Sequence, residues 1–164
     1  MTGIHESMNV QLLFSDASEQ RREELRHAFG STPGLSILSI SPDELTCLPD
    51  LDALFLPIIA AERWGSRPLL YQSQILQTHR QQGMPPFIVT GIALNPDDLR
   101  INDLPAQLSL VLTAVLDVVQ AYNEEHNDPI RTIGIWTHNL SINRMDPAVA
   151  GQIIRSTYER KFPR

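Results

Sequence analysis

The chain contains very little cysteine and lysine, and both shortages exclude particular kinds of chemistry. Cys47 is its only cysteine, so the chain cannot form an intramolecular disulfide or a zinc site built from several cysteines. Lys161 is its only lysine, because the other twelve basic residues are arginine. This argues against lysine-based Schiff-base chemistry and against a phosphate-binding P-loop lysine.

The sequence also predicts neither a signal peptide at residues 1–8 nor a long apolar run. Residues 1–8 include His5 and Glu6 but have neither a basic start nor an apolar centre, so we predict a short flexible lead-in there. The longest apolar stretch, residues 108–119, is interrupted by three polar residues. We therefore expect no membrane-spanning helix, which normally needs about 20 apolar residues, and we expect a cytoplasmic protein.

The net charge is −6 and the isoelectric point is near 5.3. This acidity argues against a nucleic-acid-binding protein, which usually carries a basic face, but it permits a small anionic ligand held by a few local groups. With 164 residues and 42% hydrophobic content, the chain suits one globular domain, which we place at residues 9–164.

The motifs of several enzyme classes are absent. The five histidines are scattered without a His-x-His or His-x3-His pair, so no metal site is expected. The sequence contains no Gly-x-Ser-x-Gly elbow, no Gly-x-Gly-x-x-Gly fingerprint and no P-loop. We therefore predict neither a catalytic nucleophile nor a bound cofactor.

Apolar patterning predicts strands that alternate with helices. The predicted strands are residues 10–14, 35–40, 52–57, 87–94 and 130–136, and the predicted helices are residues 19–29, 69–82, 104–126 and 147–162, with a turn or one helical turn at 42–46. Ser18 is suited to cap the first helix, and Asp146 precedes Pro147 at the start of the last. This alternation predicts a three-layer α/β/α sandwich around a mostly parallel or mixed sheet.

Ligands of open α/β sheets gather outside the carboxyl ends of the strands, where the free N–H groups of helix amino-termini converge. Eight polar or aromatic residues are predicted to lie there: Asp16, Asp43, Arg63, Trp64, Thr90, Asn95, His138 and Asn139. A carboxylate, a guanidinium, an aromatic ring and amides are suited to a nucleotide. The same residue types are also common in ordinary loops.

A receiver-like domain is a second fold with this alternation. Receivers resemble one another in an acidic pair after the first strand, an aspartate that ends the third and a lysine that ends the fifth. Here Asp16 stands alone, the third strand ends at Leu56 and Pro57, and the fifth is followed by Thr137 and His138. Phosphoacceptor chemistry is therefore not expected.

Three stretches, taken in order, resemble a macro domain. Residues 40–45 followed by 51–57 are similar to that family's Gly-Asp-Ile turn and its Asp-Ala strand, and residues 130–135 look like its penultimate strand. The segment from Arg144 to Pro147, with Ala148, Ala150 and Ile154 after it, looks like the start of the closing helix. The resemblance implies a macro-like fold that binds ADP-ribose or a related nucleotide, with Asp43 at the position of the adenine-binding aspartate.

Both ligand loops depart from the family's pattern. Residues 57–65 contain no asparagine to hold a ribose and only Gly65 as a glycine, and residues 137–143 contain no glycine at all. Glycine lets backbone N–H groups approach a phosphate closely, so side chains at every position are expected to crowd a diphosphate. Losing both sets of contacts costs several kcal/mol, at roughly 1.5–3 kcal/mol for each hydrogen bond to a charged group. Millimolar binding of ADP-ribose, or none, is then expected.

Two hypotheses follow for function. The first is a divergent, non-catalytic macro-like domain that acts as an interaction module, with a protein partner or a second copy of itself, or as a weak nucleotide binder. The second is a binder or hydrolase of ADP-ribose or a related nucleotide with altered loops. Its candidate ligand-binding residues are Asp43, Arg63, Trp64, His138 and Asn139. Three of them have a specific structural alternative: a turn or cap for Asp43, a loop position for His138 and the edge of the core for Trp64.

Overall fold

A computed structural model describes residues 9–163, and the predicted lead-in at 1–8 lies outside the described residues. The chain folds into a mixed six-stranded sheet with four α-helices. In chain order the elements are β1 (Gln11–Ser15), α1 (Glu19–Phe29), β2 (Leu35–Leu38), α2 (Pro42–Thr46), β3 (Ala53–Leu56), β4 (Ile75–Gln77), β5 (Phe87–Thr90), α3 (Leu104–Glu125), β6 (Thr132–Trp136) and α4 (Pro147–Lys161). The predicted α/β class and mixed sheet are confirmed.

The strand order in the sheet is β2-β1-β6-β3-β5-β4. Neighbouring strands run parallel, except that the edge strand β4 is antiparallel to β5. Ile133 of β6 lies opposite Leu12 of β1 on one side and Ala53 of β3 on the other. The carboxyl ends of β1, β6, β3 and β5 therefore meet along one edge of the sheet.

One face of the sheet carries α1, α4 and α3, with α4 packed between the other two. Alternate strand residues such as Leu12, Phe14 and Phe55 point into this layer, as the period of two along a strand requires. The Ser18 hydroxyl accepts a hydrogen bond from the Arg21 N–H (3.2 Å), so the predicted cap of α1 is confirmed. Asp146 occupies the cap position of α4, but its side chain makes no capping hydrogen bond.

The other face carries the five-residue helix α2 together with Leu48 and Met84, so the two faces are covered unequally. A second, smaller hydrophobic cluster lies on this face, where the buried Leu45 and Leu51 pack above Leu54 of β3. A Cβ atom added to Gly134 of β6 would lie 3.1 Å from side-chain atoms of both Leu45 and Leu51. Glycine at this position therefore lets the α2 segment lie close to the sheet.

Helix α3 (Leu104–Glu125) is the one described helix that is long and apolar enough to cross a membrane by length and composition. The sequence analysis predicted no such helix because polar residues interrupt residues 108–119, whereas an 18-residue stretch of α3 is apolar on average. In the fold, α3 places a row of buried residues in the main core: Leu108, Leu112, Val115, Leu116 and Val119. Core helices of globular proteins can have the same length and apolar composition.

The prediction of a helix at residues 69–82 is wrong. The segment is extended and contains β4, and Leu70 forms an isolated parallel bridge with Ala93. The Ser73 hydroxyl donates a hydrogen bond to the Thr90 carbonyl (2.6 Å), and the Gln74 N–H donates one to the Thr90 hydroxyl (2.9 Å). These contacts to β5 hold the segment against the sheet in place of internal helical hydrogen bonds. Strand β5 itself ends at Thr90, four residues before the predicted end.

Candidate functional site

A pocket of about 200 Å³ lies at the carboxyl ends of β3, β5 and β6. Four segments form it: residues 55–59 at the end of β3, residues 91–94 after β5, the first turns of α3 and residues 139–141 after β6. This is the edge of the sheet at which α/β proteins place their ligands. We refer to it below as the strand-end pocket.

The lining of the strand-end pocket is mostly hydrocarbon. Its apolar side chains are Phe55, Pro57, Ile58, Ile59, Ile92, Leu94, Leu108, Val111 and Leu140. Its polar side chains are the amides of Gln107 and Asn139 and the hydroxyl of Ser141. Charged side chains are absent from this lining, so the pocket has no group suited to pairing with a phosphate or a carboxylate.

The loop after β3 owes its shape to a series of local hydrogen bonds. The Ala61 N–H donates to the Pro57 carbonyl (3.1 Å), and a single 3₁₀ turn at Glu62–Trp64 follows. Gly65 ends that turn with φ of +102°, a value that favours glycine. The Ser66 hydroxyl then donates to the Ile58 carbonyl (2.7 Å), which fixes Ile58 in the pocket wall.

The loop after β6 contains two short 3₁₀ turns, Thr137–Leu140 and Ile142–Arg144. Ser141 joins them with φ of +59°, a left-handed conformation that favours glycine over serine. Leu140 and Ile142 are buried and anchor this loop in the main core. Asn139, between Thr137 and the buried Leu140, reaches the pocket.

Beside the pocket, Asp16 forms a buried polar network at the ends of β1 and β6. Its carboxylate accepts hydrogen bonds from Arg21 Nε (2.9 Å) and Nη2 (3.0 Å), from the Ser18 N–H (2.8 Å) and from the Thr137 hydroxyl (2.5 Å). Burial raises the pKa of Asp16, but hydrogen bonds from Arg21, Thr137 and Ser18 outweigh burial and hold that pKa below its usual value. Both oxygens are therefore committed to holding α1 and β6 in place.

Two buried side-chain atoms near this network have no hydrogen-bond partner among the described residues. They are the Ser15 hydroxyl oxygen and His138 Nδ1. Ser15 lies opposite Trp136 in the β1–β6 register, and the rings of Trp136 and His138 stack with centroids 4.4 Å apart. Both unpaired atoms thus lie around the same tryptophan.

The structure places four of the five predicted ligand-binding residues in two separate pairs. His138 and Asn139 are neighbours after β6, and only Asn139 lines the strand-end pocket. The Arg63 guanidinium lies 5.3 Å from the ring centre of the half-buried Trp64 and donates a hydrogen bond to Gln82. Arg63 thus contacts the turn between β4 and β5, and it does not line the strand-end pocket.

The fifth predicted residue, Asp43, is exposed in the first turn of α2. A capping box formed by Ser41 and Glu44 begins this helix, so Asp43 is not its cap. Helix α2 follows the edge strand β2, which lies three strand positions from β3. Helix α2 then crosses towards β6 and β3, but Asp43 is not among the residues that line the strand-end pocket.

Sequence reasoning had placed Asp16 at the end of a strand but had not connected it to Arg21 and Thr137. The signal for Arg21 is local, because Asp16 precedes a helix whose first turn contains the arginine. No local signal connects Asp16 to Thr137, which lies 121 residues later. The apolar lining of the pocket was likewise not identified from the sequence, because its residues come from four separate segments.

Comparison with protein-family models, with curated proteins and with solved structures found no match for this chain.

Proposed function

We propose that this chain is a divergent macro-like domain that acts by binding and not by catalysis. In this proposal it is an interaction module or a weak nucleotide binder, and the strand-end pocket is its contact site. The order of the macro-like stretches in the sequence and the mixed α/β sheet support the fold side of the proposal. The cytoplasm is its proposed compartment, on the sequence grounds given above.

The chemistry of the strand-end pocket is the observation that carries this proposal. Hydrolysis of a nucleotide needs a group that activates water or stabilises developing charge close to the reacting atom. The pocket lining offers only amides, a hydroxyl and hydrocarbon. The nearest buried carboxylate, Asp16, uses both oxygens in hydrogen bonds within the fold.

The two loops are a second reason to expect that a diphosphate binds only weakly. Side chains occupy every position of residues 137–143, and Leu140 and Ile142 are turned into the core. Arg63, the arginine that sequence analysis had assigned to a phosphate, is held by Trp64 and Gln82. A pyrophosphate in the strand-end pocket would lose its hydration without gaining a cation, which is strongly unfavourable.

Calorimetric titration of the protein with ADP-ribose tests the proposal. We expect a Kd in the millimolar range or weaker, and no release of ADP-ribose hydrolysis products during prolonged incubation. The same titration with NAD and with ADP extends the test to related nucleotides. A micromolar Kd for any of these nucleotides, or turnover of one of them, would contradict the proposal.

One observation favours the second candidate function, a nucleotide binder with altered loops. His138 Nδ1 is buried without a partner, and the His138 ring lies against Trp136. A ligand that supplies the missing hydrogen bond to such a buried polar atom stabilises the bound state. If this function holds, Asp43→Ala or His138→Ala abolishes binding of an adenine nucleotide while leaving the melting temperature unchanged. Equal binding by both variants and the parent rules it out.

A further inference from the structure

The walls of the strand-end pocket belong to the hydrophobic core. Phe55 and Leu108 are each about 1% exposed, and Leu140 is about 7% exposed. Ile58, Ile92 and Val111 complete the apolar wall around them. The base of the pocket is thus covered core hydrocarbon, whereas the half-buried Ile58 and Val111 leave apolar surface that an apolar ligand group can cover.

Two amide side chains face this apolar wall without a protein partner. Neither Gln107 nor Asn139 uses its side-chain amide in a hydrogen bond within residues 9–163. The nearest other polar lining group is the Ser141 hydroxyl. Each amide offers both a donor and an acceptor, so together they suit a ligand with one neutral polar group.

The surroundings of the pocket disfavour an anion. Helix α3 begins beside the pocket, and its amino-terminus is already capped by the Asp103 carboxylate, which accepts a hydrogen bond from the Ala106 N–H (3.4 Å). The helix dipole at this end is therefore partly offset by a negative charge. The whole chain carries a net charge of −6. An incoming carboxylate or phosphate meets no compensating cation in the lining.

The volume of the pocket sets the size of the chemical group that it can enclose. A dry cavity of about 150 Å³ holds a benzene molecule. The strand-end pocket, at about 200 Å³, accommodates a ring of that size with a short polar substituent. A whole dinucleotide is several times larger.

We propose that the strand-end pocket binds a small neutral molecule with a benzene-sized hydrocarbon body and one amide or hydroxyl group. The body packs on Phe55, Leu108 and Val111, and the polar group pairs with Asn139 or Gln107. This inference names the ligand class of the pocket and rests on the proposed binding function. It differs from nucleotide binding in requiring no charge on the ligand.

A matched pair of probes, benzamide and benzoate, tests the charge preference. They share the ring and the approximate size, but only benzoate carries a charge at pH 7. We expect benzamide to shift the backbone amide signals of Ile58, Ile92 and Ser141 in a ¹H–¹⁵N NMR titration, with a Kd on the order of millimolar. Benzoate should bind at least about tenfold more weakly, because its carboxylate loses hydration without a cation.

A matched pair of variants tests the location. Val111 and Val118 are both half-buried on α3 and pack against the main core, but only Val111 lines the pocket. Val111→Phe should fill the pocket and remove benzamide binding, whereas Val118→Phe should retain it. The dispersion of each NMR spectrum shows whether the variant is folded.

Three outcomes overturn the inference: no benzamide binding at tens of millimolar, benzoate binding as tight as benzamide binding, or unchanged benzamide binding by a folded Val111→Phe variant. A parallel titration with ADP-ribose separates the inference from the proposed function. Micromolar ADP-ribose binding without benzamide binding contradicts both. Benzamide binding in the pocket together with micromolar ADP-ribose binding elsewhere supports the inference and contradicts the weak-binding proposal.

Discussion

The hydroxyl of Thr137 donates a hydrogen bond to the buried carboxylate of Asp16, although 121 residues separate the two positions. Asp16 directly follows β1, and Thr137 directly follows β6, so this bond ties together the ends of two neighbouring central strands. Arg21 of α1 completes the network with two hydrogen bonds to the same carboxylate. The network fixes one side of the loop that carries His138 and Asn139.

Removing the Thr137 hydroxyl should destabilise the fold. Thr137→Val keeps the shape of the side chain but leaves Asp16 Oδ2 with one hydrogen bond fewer in a buried site. We expect the free energy of unfolding to fall by about 1–3 kcal/mol, measured by urea denaturation. Thr137→Ser keeps the hydroxyl and should lose less. Equal stability of the valine variant and the parent would show that the bond contributes nothing.

The Asp16 network should make stability depend on pH in the acid range. Because the pKa of Asp16 is lower in the folded protein, its contribution is fully present above the unfolded value near 3.9 and is lost as pH falls through the folded pKa. Unfolding free energies at pH 7, 5 and 3 should therefore fall more steeply for the parent than for Asp16→Asn, which cannot titrate there. Parallel pH profiles of the two proteins would contradict this assignment.

The unpaired Ser15 hydroxyl should be dispensable for stability. Ser15→Ala removes a buried oxygen that has no partner among the described residues, so we expect the free energy of unfolding to stay constant or to rise by about 1–3 kcal/mol. Ser73→Ala is the matched control, because the buried Ser73 hydroxyl donates to the Thr90 carbonyl (2.6 Å). The control should be destabilised. An equal loss of stability for both alanine variants in thermal melts would show that the Ser15 hydroxyl does make a stabilising hydrogen bond.

The start of α2 should depend on Ser41 and not on Asp43. Ser41→Ala removes the acceptor of the Glu44 N–H hydrogen bond (3.1 Å) and should cost about 1 kcal/mol in urea denaturation. Asp43→Ala should change stability by less than about 0.5 kcal/mol, as is usual for an exposed position outside a cap. A larger loss for Asp43→Ala than for Ser41→Ala would show that Asp43 does cap this helix.

Local sequence signals predicted most of the fold. Helix α1 has its Ser18 cap, and α3 has a broad apolar face, so both were predicted within one or two residues. The segment at residues 69–82 misled the prediction because its apolar residues are compatible with a helix. Its extended shape depends on hydrogen bonds from Ser73 and Gln74 to Thr90, sixteen or more residues later. Tyr71 also adopts a positive φ of 57°, which its side chain does not favour.

The site was harder to predict than the fold, because it depends on contacts between distant segments. Asn139 was identified from its position after a strand, and it does line the strand-end pocket. Arg63 was selected for its charge, but whether Gln82 or a ligand holds that charge depends on how the β4–β5 hairpin packs. The apolar wall escaped notice because Phe55, Leu108 and Leu140 are also ordinary core residues. Only their arrangement around a cavity distinguishes a binding site from a filled core.

A crystal of the protein soaked with ADP-ribose tests most directly whether the strand-end loops can hold a pyrophosphate. We expect no dinucleotide between residues 58–65 and residues 138–142, because the pocket lining offers hydrocarbon and neutral polar groups instead of cations. Density for an intact dinucleotide there, with its phosphates hydrogen-bonded to backbone N–H groups of these loops, would contradict it.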